Sequence, residues 1–265
     1  MAKPAKPGKS IFITGAAAGI GRAVALRFAA AGWRVGLYDV NLLGAKALAS
    51  EIGPQAVVGS LDVRDGAAYA AALAAFTEPT DGTLDVLFNN AGILATGDFE
   101  SASLERLSML VDINAKGVVN GCHAALPYLK ATEGARVINM ASASAIYGTP
   151  AFAVYSASKF FVRGLTEALN IEWARYGIYV CDLLPLFVDT PMVAGVTDKP
   201  DSVKNLGVRL SPEQVAETVF AAAHVPRWRG TVHWHVGRQT QALAVLSKVM
   251  PTRLARLTNK LVSGY

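Results

Sequence analysis

The chain has little charge, almost no cysteine and no long apolar run. Charged side chains make up 17% of its 265 residues against 52% hydrophobic ones, and the mean hydropathy is +0.32. A chain this apolar and weakly charged does not stay unfolded in water, which excludes disorder outside the ends. No stretch reaches the roughly 18 consecutive apolar residues that a bilayer-spanning helix needs, so no span is expected. Cys122 and Cys181 lie far apart and form no Cys-x-x-Cys or zinc-ligand pattern. They predict reduced thiols and a cytoplasmic home.

Acidic residues are missing from both ends. Residues 1–10 hold Lys3, Lys6 and Lys9, and residues 238–265 hold Arg238, Lys248, Arg253, Arg256 and Lys260, with no Asp or Glu in either stretch. Apart from those eight, residues 11–237 carry 17 basic and 20 acidic side chains, a net −3 inside a chain of net +5. A groove-binding domain concentrates positive charge on its folded body, so no nucleic-acid partner is expected. The early lysines and the apolar run 11–21 mimic a secretory signal. Gly15, Gly19 and Gly21 would weaken such a signal's core, and the run is expected to stay in the folded protein.

What is present is an alternation of short β-rich runs and alanine-rich helical stretches. Strands are predicted at 10–14, 33–39, 55–61, 84–88, 135–140, 177–184 and 231–236. Helices are predicted near 20–31, 41–52, 65–77, 102–130, 152–176 and 212–224. Continuously apolar strands suit a parallel sheet buried on both faces, so the expected fold is α/β, a single doubly wound Rossmann domain of about seven strands. The expected organisation is a basic extension at 1–9, a catalytic domain at 10–237 and a basic amphipathic tail at 238–265.

Three local patterns carry chemistry. The first strand runs into Thr14-Gly15-Ala-Ala-Ala-Gly19-Ile20-Gly21 and then a helix beginning around Arg22. Such a turn lets backbone approach a pyrophosphate, while the following helix offers free N–H groups and a positive dipole end. Asp39, eighteen residues after Gly21, ends the second strand. A carboxylate there accepts hydrogen bonds from ribose hydroxyls and repels a 2′-phosphate, which selects NAD (NADH) over NADP. Tyr155 and Lys159 are four apart on a predicted helix and share a face. His233 and His235 share a strand face but have no evident third metal ligand, so they read as a surface or interface strand and no metal is expected.

Taken in order, T-G-x-x-x-G-I-G at 14–21, Asp39, Asp62-Val63, Asn89-Asn90-Ala91-Gly92, Asn114, Ser142, Tyr155-x-x-x-Lys159 and Pro185 with Thr190 resemble the short-chain dehydrogenase/reductase family over residues 10–237. The resemblance implies an NAD-dependent alcohol dehydrogenase or carbonyl reductase. Tyr155 would be the general acid/base, its pKa of about 10 lowered by the Lys159 cation and the oxidised nicotinamide. Ser142 would hold the substrate oxygen, Asn114 would relay protons through its backbone carbonyl, and Asp62 would face the adenine. Gly15, Gly19, Ile20, Gly21, Val63, Asn90, Ala91, Gly92, Pro185, Val188 and Thr190 would line the cofactor.

Leu94, Ser144, Ile146, Phe152, Phe187, Met192 and Val193 would wall an uncharged substrate pocket, suiting a hydrophobic secondary alcohol or ketone. Leu186 departs from the family's usual glycine after this proline and is expected to crowd the nicotinamide with a backbone less free than glycine's. The family suggests a homo-oligomer, dimer or tetramer, built on the helices at 102–130 and 152–176. Leu254, Leu257 and Leu261 beside Arg253, Arg256 and Lys260 make a tail helix that packs on its own domain, on a neighbouring subunit or on an anionic membrane. Two alternatives follow: a peripheral membrane reductase of lipid-like or steroid carbonyls, and a non-catalytic NAD-binding redox sensor.

Overall fold

In the computed structural model, residues 8–196 and 199–265 are described; Lys3 and Lys6 of the basic extension lie outside them. The first half runs β1 (Ser10–Thr14), α1 (Gly19–Ala29), β2 (Arg34–Asp39), α2 (Leu42–Ile52), β3 (Ala56–Ser60) and α3 (Gly66–Thr77). It continues through β4 (Val86–Asn89), α4 (Leu104–Val111), α5 (Gly117–Lys130), β5 (Arg136–Met140), α6 (Ala153–Glu172) and β6 (Tyr179–Pro185). The short α7 (Pro191–Ala194) and α8 (Asp201–Leu206) precede α9 (Pro212–His224), β7 (His233–Val236), α10 (Arg238–Val249) and α11 (Thr252–Ser263).

All seven strands pair in parallel in the order β3-β2-β1-β4-β5-β6-β7. Strand alternation sends Ile11 and Ile13 to one apolar layer with Val24, Phe28 and Val219, and Phe12 to the other with Tyr69, Leu73 and Phe76. Both faces are therefore covered, which is why the strands read as unbroken apolar runs. The strand order reverses between β1 and β4, and an open parallel sheet leaves its ligand crevice at such a switch point, beyond the strands' carboxyl ends.

Several boundaries differ from the sequence expectation. The first helix starts at Gly19 rather than near Arg22. The single helix expected over 102–130 is two, α4 and α5, joined by a π-helical turn at Asp112–Lys116. The helix expected over 152–176 ends at Glu172 and finishes in a tighter turn, Trp173–Tyr176. The tail forms two helices because Pro251 lacks an N–H and stops α10.

Candidate active site

The glycine-rich loop between β1 and α1 is shaped by backbone contact. Gly15 has φ +65, and a Cβ there would lie 2.9 Å from the Ala91 Cα. A Cβ on Gly21 would lie 2.0 Å from the Gly15 carbonyl oxygen, so the loop closes on α1 only with hydrogen at that position. Asn90 braces the loop from the end of β4, its Nδ2 donating to the carbonyls of Thr14 at 2.9 Å and Gly15 at 3.1 Å. The start of α1 has no side-chain cap and no acid in its first turn. Its leading N–H groups remain available to an anion.

Asp39 is oriented by the same loop. One carboxylate oxygen accepts from the Ala17 N–H at 2.9 Å and the other from the Asn41 N–H at 2.8 Å. Asp62 forms a salt bridge with Arg64 at 2.6 Å, and that hydrogen-bonded guanidinium holds its carboxyl below the usual range. These loops and acids line one end of a cavity of about 450 Å³. Gly15, Gly19, Ile20, Val63, Asn90, Ala91 and Gly92 are in its wall; Gly21 lies beneath the loop instead. A glycine cradle, helix amides without a side-chain cap and a carboxylate anchored at the end of β2 fit a dinucleotide.

Farther along the same cavity, Tyr155 and Lys159 project from α6 and Ser142 from the end of β5. Lys159 is buried, and its Nζ donates to the Met140 carbonyl at 2.8 Å. Burial lowers its pKa to about 8. The Tyr155 phenol is pushed above its usual value by burial, and the Ser142 hydroxyl hydrogen-bonded to it opposes that rise. The Lys159 ammonium sits 5.6 Å from the centre of the Tyr155 ring. Between the rival serines, Ser142 bonds the phenol, and its Oγ also accepts from the Ser144 N–H at 3.2 Å.

Asn114 occupies the π-turn, away from the cavity wall. Its Oδ1 accepts from the Ile93 N–H at 2.8 Å, and its Nδ2 donates to the Ile93 carbonyl at 3.0 Å and to Ser158 Oγ at 3.3 Å. The Ser158 hydroxyl donates in turn to the Tyr155 carbonyl at 2.7 Å. Asn114 thus clamps the loop after β4 to the helix that carries Tyr155. A π-turn at such a place is a common device for aiming a residue.

The remaining wall is apolar. Leu94, Ile146, Phe152, Phe187, Met192 and Val193 line it with Ser144, and Pro185, Val188 and Thr190 join the two ends. Phe152 stands between Phe187 and Tyr155, with ring centres 6.1 and 6.3 Å away. Leu186 also lines the cavity. It does not have positive φ, which among described non-glycine residues occurs only at Asp81 and Ala151, so leucine is accommodated there without backbone strain. Among the described residues the only charged side chains in the lining are Asp39, Asp62 and Lys159.

Sequence reasoning missed the roof. Leu243, Leu246 and Met250 of α10 and its end, with Ala255, Thr258, Asn259 and Val262 of α11, line the same cavity. Ser202 and Leu206 of α8 join them. The available signal was a second stripe on the tail helix, 255-258-259-262, hidden by its small and polar residues.

The short chain dehydrogenase family model matches residues 9–201. The chain belongs to that family. Short-chain dehydrogenases are oxidoreductases that bind NAD(H) or NADP(H). The chain is 34% identical to 3-beta-hydroxysteroid dehydrogenase of Comamonas testosteroni over 227 residues, covering 82% of this chain and 89% of the relative. It is 35% identical to sulfoacetaldehyde reductase of Chromohalobacter salexigens over 224 residues, covering 82% and 88%. A crystal structure of 3-ketoacyl-(acyl-carrier-protein) reductase from Brucella melitensis complexed with NADH superposes with TM-score 0.79 at 32% identity, covering 88% of this chain and 98% of that one. Substrates as unlike as a steroid and a small sulfonate are named among these relatives, so membership fixes the chemistry and leaves the substrate to the pocket.

Proposed function

We propose that this short-chain dehydrogenase transfers hydride between NAD(H) and a hydrophobic secondary alcohol or ketone, with Tyr155 as the proton donor and acceptor. The observation that carries this reading is the shared cavity: Tyr155, Ser142 and Lys159 open onto a wall whose only other charges, among the described residues, are Asp39 and Asp62 near the glycine-rich loop. Bound NAD(H) would supply hydride exchange at the reacting carbon. The loop 15–21 with Asn90–Gly92 would hold its phosphates, Asp39 its adenosine ribose and Lys159 its second ribose. Ser142 donates to the substrate oxygen and holds it beside the phenol. Tyr155 gives its proton to that oxygen in reduction and, as the phenolate, takes a proton from it in oxidation. Asn114 is a positioning residue through its clamp on α6.

Asp39, with no lysine or arginine beside it in the lining, supports NAD over NADP. Exposed Phe160, Phe161 and Ile171 on α6, with Val111 and Val119 on α4 and α5, support a homo-oligomer on these helices. The test is a panel of apolar ketones, apolar alcohols and charged metabolites with NADH, NADPH or their oxidised forms. Apolar carbonyls with NADH are expected to react fastest, and Tyr155→Phe to lower kcat by about 10²–10⁴-fold while leaving NADH binding intact. Faster turnover of charged metabolites, or an undiminished Tyr155→Phe enzyme, overturns the reading.

A further inference from the structure

The C-terminal helix α11 carries three stripes, and only one of them faces the cavity. On α11, Ala255, Thr258, Asn259 and Val262 face the cavity. At about 100° per residue, Leu254, Leu257 and Leu261 form a second stripe roughly a third of a turn away. Arg253, Arg256 and Lys260 form a third stripe beyond it. The leucines are 49%, 52% and 70% exposed. On α10 the same order recurs: Leu243 and Ser247 line the cavity, Val245 and Val249 are 67% and 75% exposed, and Lys248 lies on the side beyond them.

This hairpin is tied down. The Asn205 amide donates to the Val262 carbonyl at 2.9 Å, Gln239 donates to the Leu206 carbonyl at 3.3 Å, and the Tyr265 hydroxyl donates to the Asp98 carboxylate. Its outward apolar residues are therefore held in place by the structure rather than by a frayed end. Leu246 and Met192 both line the cavity and are 47% and 43% exposed, so they stand at a mouth beside the outward stripe.

We infer that this outward face of α10 and α11 docks on an anionic lipid surface and that the apolar substrate enters the cavity from that surface. The inference deepens the function proposed above and names the source of its substrate. Charge selects the occupant. Residues 238–265 contain five basic residues and no acid, the combination that favours an interfacial helix on anionic lipid. A two-fold contact between copies of this chain would bring the same patch against itself and set basic stripes close together. The exposed face of α6 differs, since Arg163 there pairs with Glu167 at 3.2 Å and presents both signs.

The experiment is cosedimentation of the full chain with phosphatidylcholine vesicles and with equimolar phosphatidylcholine–phosphatidylglycerol vesicles at low and high salt. Binding to the anionic vesicles alone, weakened by salt, is expected. R253Q/R256Q/K260Q is expected to bind about a hundredfold less, and L254Q/L257Q/L261Q to lose binding, both with unchanged Tm and unchanged turnover of a water-soluble ketone. No anionic preference overturns the inference. So does a change of oligomeric state without vesicles in either variant, which would assign the face to a second copy. Vesicle binding without turnover of any ketone leaves the surface standing and removes the proposed activity, so the two failures are separable.

Discussion

Replacing Lys159 with methionine separates the function of the site from its stability. The lysine is buried, and its pKa falls from 10.5 to about 8 because water is withdrawn from the ammonium. Such a drop corresponds to about 3 kcal/mol of unfavourable burial for the cation. Methionine has a similar shape and no charge, so that penalty disappears. Against it stands the lost hydrogen bond to the Met140 carbonyl at 2.8 Å, worth about 1.5–3 kcal/mol when the donor is charged. The expected balance at pH 7 is a gain of about 0–1.5 kcal/mol. Unfolding entropy of about 2.1 cal/mol/K per residue over this chain converts that into a Tm no lower than wild type and higher by up to about 3 °C.

The pH dependence makes the claim sharper. Lys159 loses its proton near pH 8 in the folded state and near 10.5 when unfolded. Between those values the unfolded chain binds more protons, so wild-type stability rises with pH there, while Lys159→Met has no such rise. Thermal melts at pH 7 and pH 9.5 should therefore show the variant's advantage shrinking at the higher pH. Turnover of the best ketone should fall by about a hundredfold or more, since the cation that favours phenolate is gone. A variant clearly less stable than wild type at pH 7, or an advantage equal at both pH values, refutes the reasoning.

His233 bridges Asp182 and Glu167, with both contacts at 2.9 Å, and Asp182 is fully buried with one oxygen unpartnered among the described residues. His233→Ala should destabilise the fold by about 3 kcal/mol near neutral pH, with much of the loss recovered in His233→Ala/Asp182→Asn, as read by urea melts. The hydrogen bond to Asp182 raises the His233 pKa, so its stabilisation is full below the ordinary imidazole value of 6.5 and is lost as pH rises through the raised value. Asp39→Ala should shift the NADPH-to-NADH affinity ratio by roughly tenfold or more toward NADPH in fluorescence titrations, because the half-exposed carboxylate's repulsion is screened but not abolished. Burial raises Tyr155, so ketone reduction should dominate at pH 6 and alcohol oxidation should accelerate toward pH 9 in initial-rate profiles. Oxidation faster at pH 6 than at pH 9 would contradict the phenol's assigned state.

The sheet was legible because its strands are buried on both faces and therefore write themselves as continuous apolar runs. The glycine loop, Asp39 and the pair Tyr155–Lys159 were legible because their geometry is set within a few residues. What stayed hidden depends on distant partners. The role of His233 follows from the β6–β7 register, which sets Asp182 opposite it. The π-turn at Asn114 follows from a clamp between Ile93 and Ser158 across three elements. The hydrogen bond between Ser142 and the Tyr155 phenol follows from β5 and α6 being packed together, which sequence spacing does not report. The tail's inward stripe was hidden by its Ala, Thr and Asn, small and polar residues that read as solvent-facing until α8 is packed beneath them.

The cavity is graded, and the gradient orders what it binds. Asp39 and Asp62 stand at or just past the ends of β2 and β3, Lys159 projects from α6, and among the described residues α10 and α11 add no charge to the lining. A dinucleotide laid with its adenosine toward the acids would bring its reactive ring toward Tyr155 and Ser142. The tail side of the wall is apolar, so lengthening the hydrocarbon part of the substrate should act on KM, while the proton transfer at Tyr155 governs kcat.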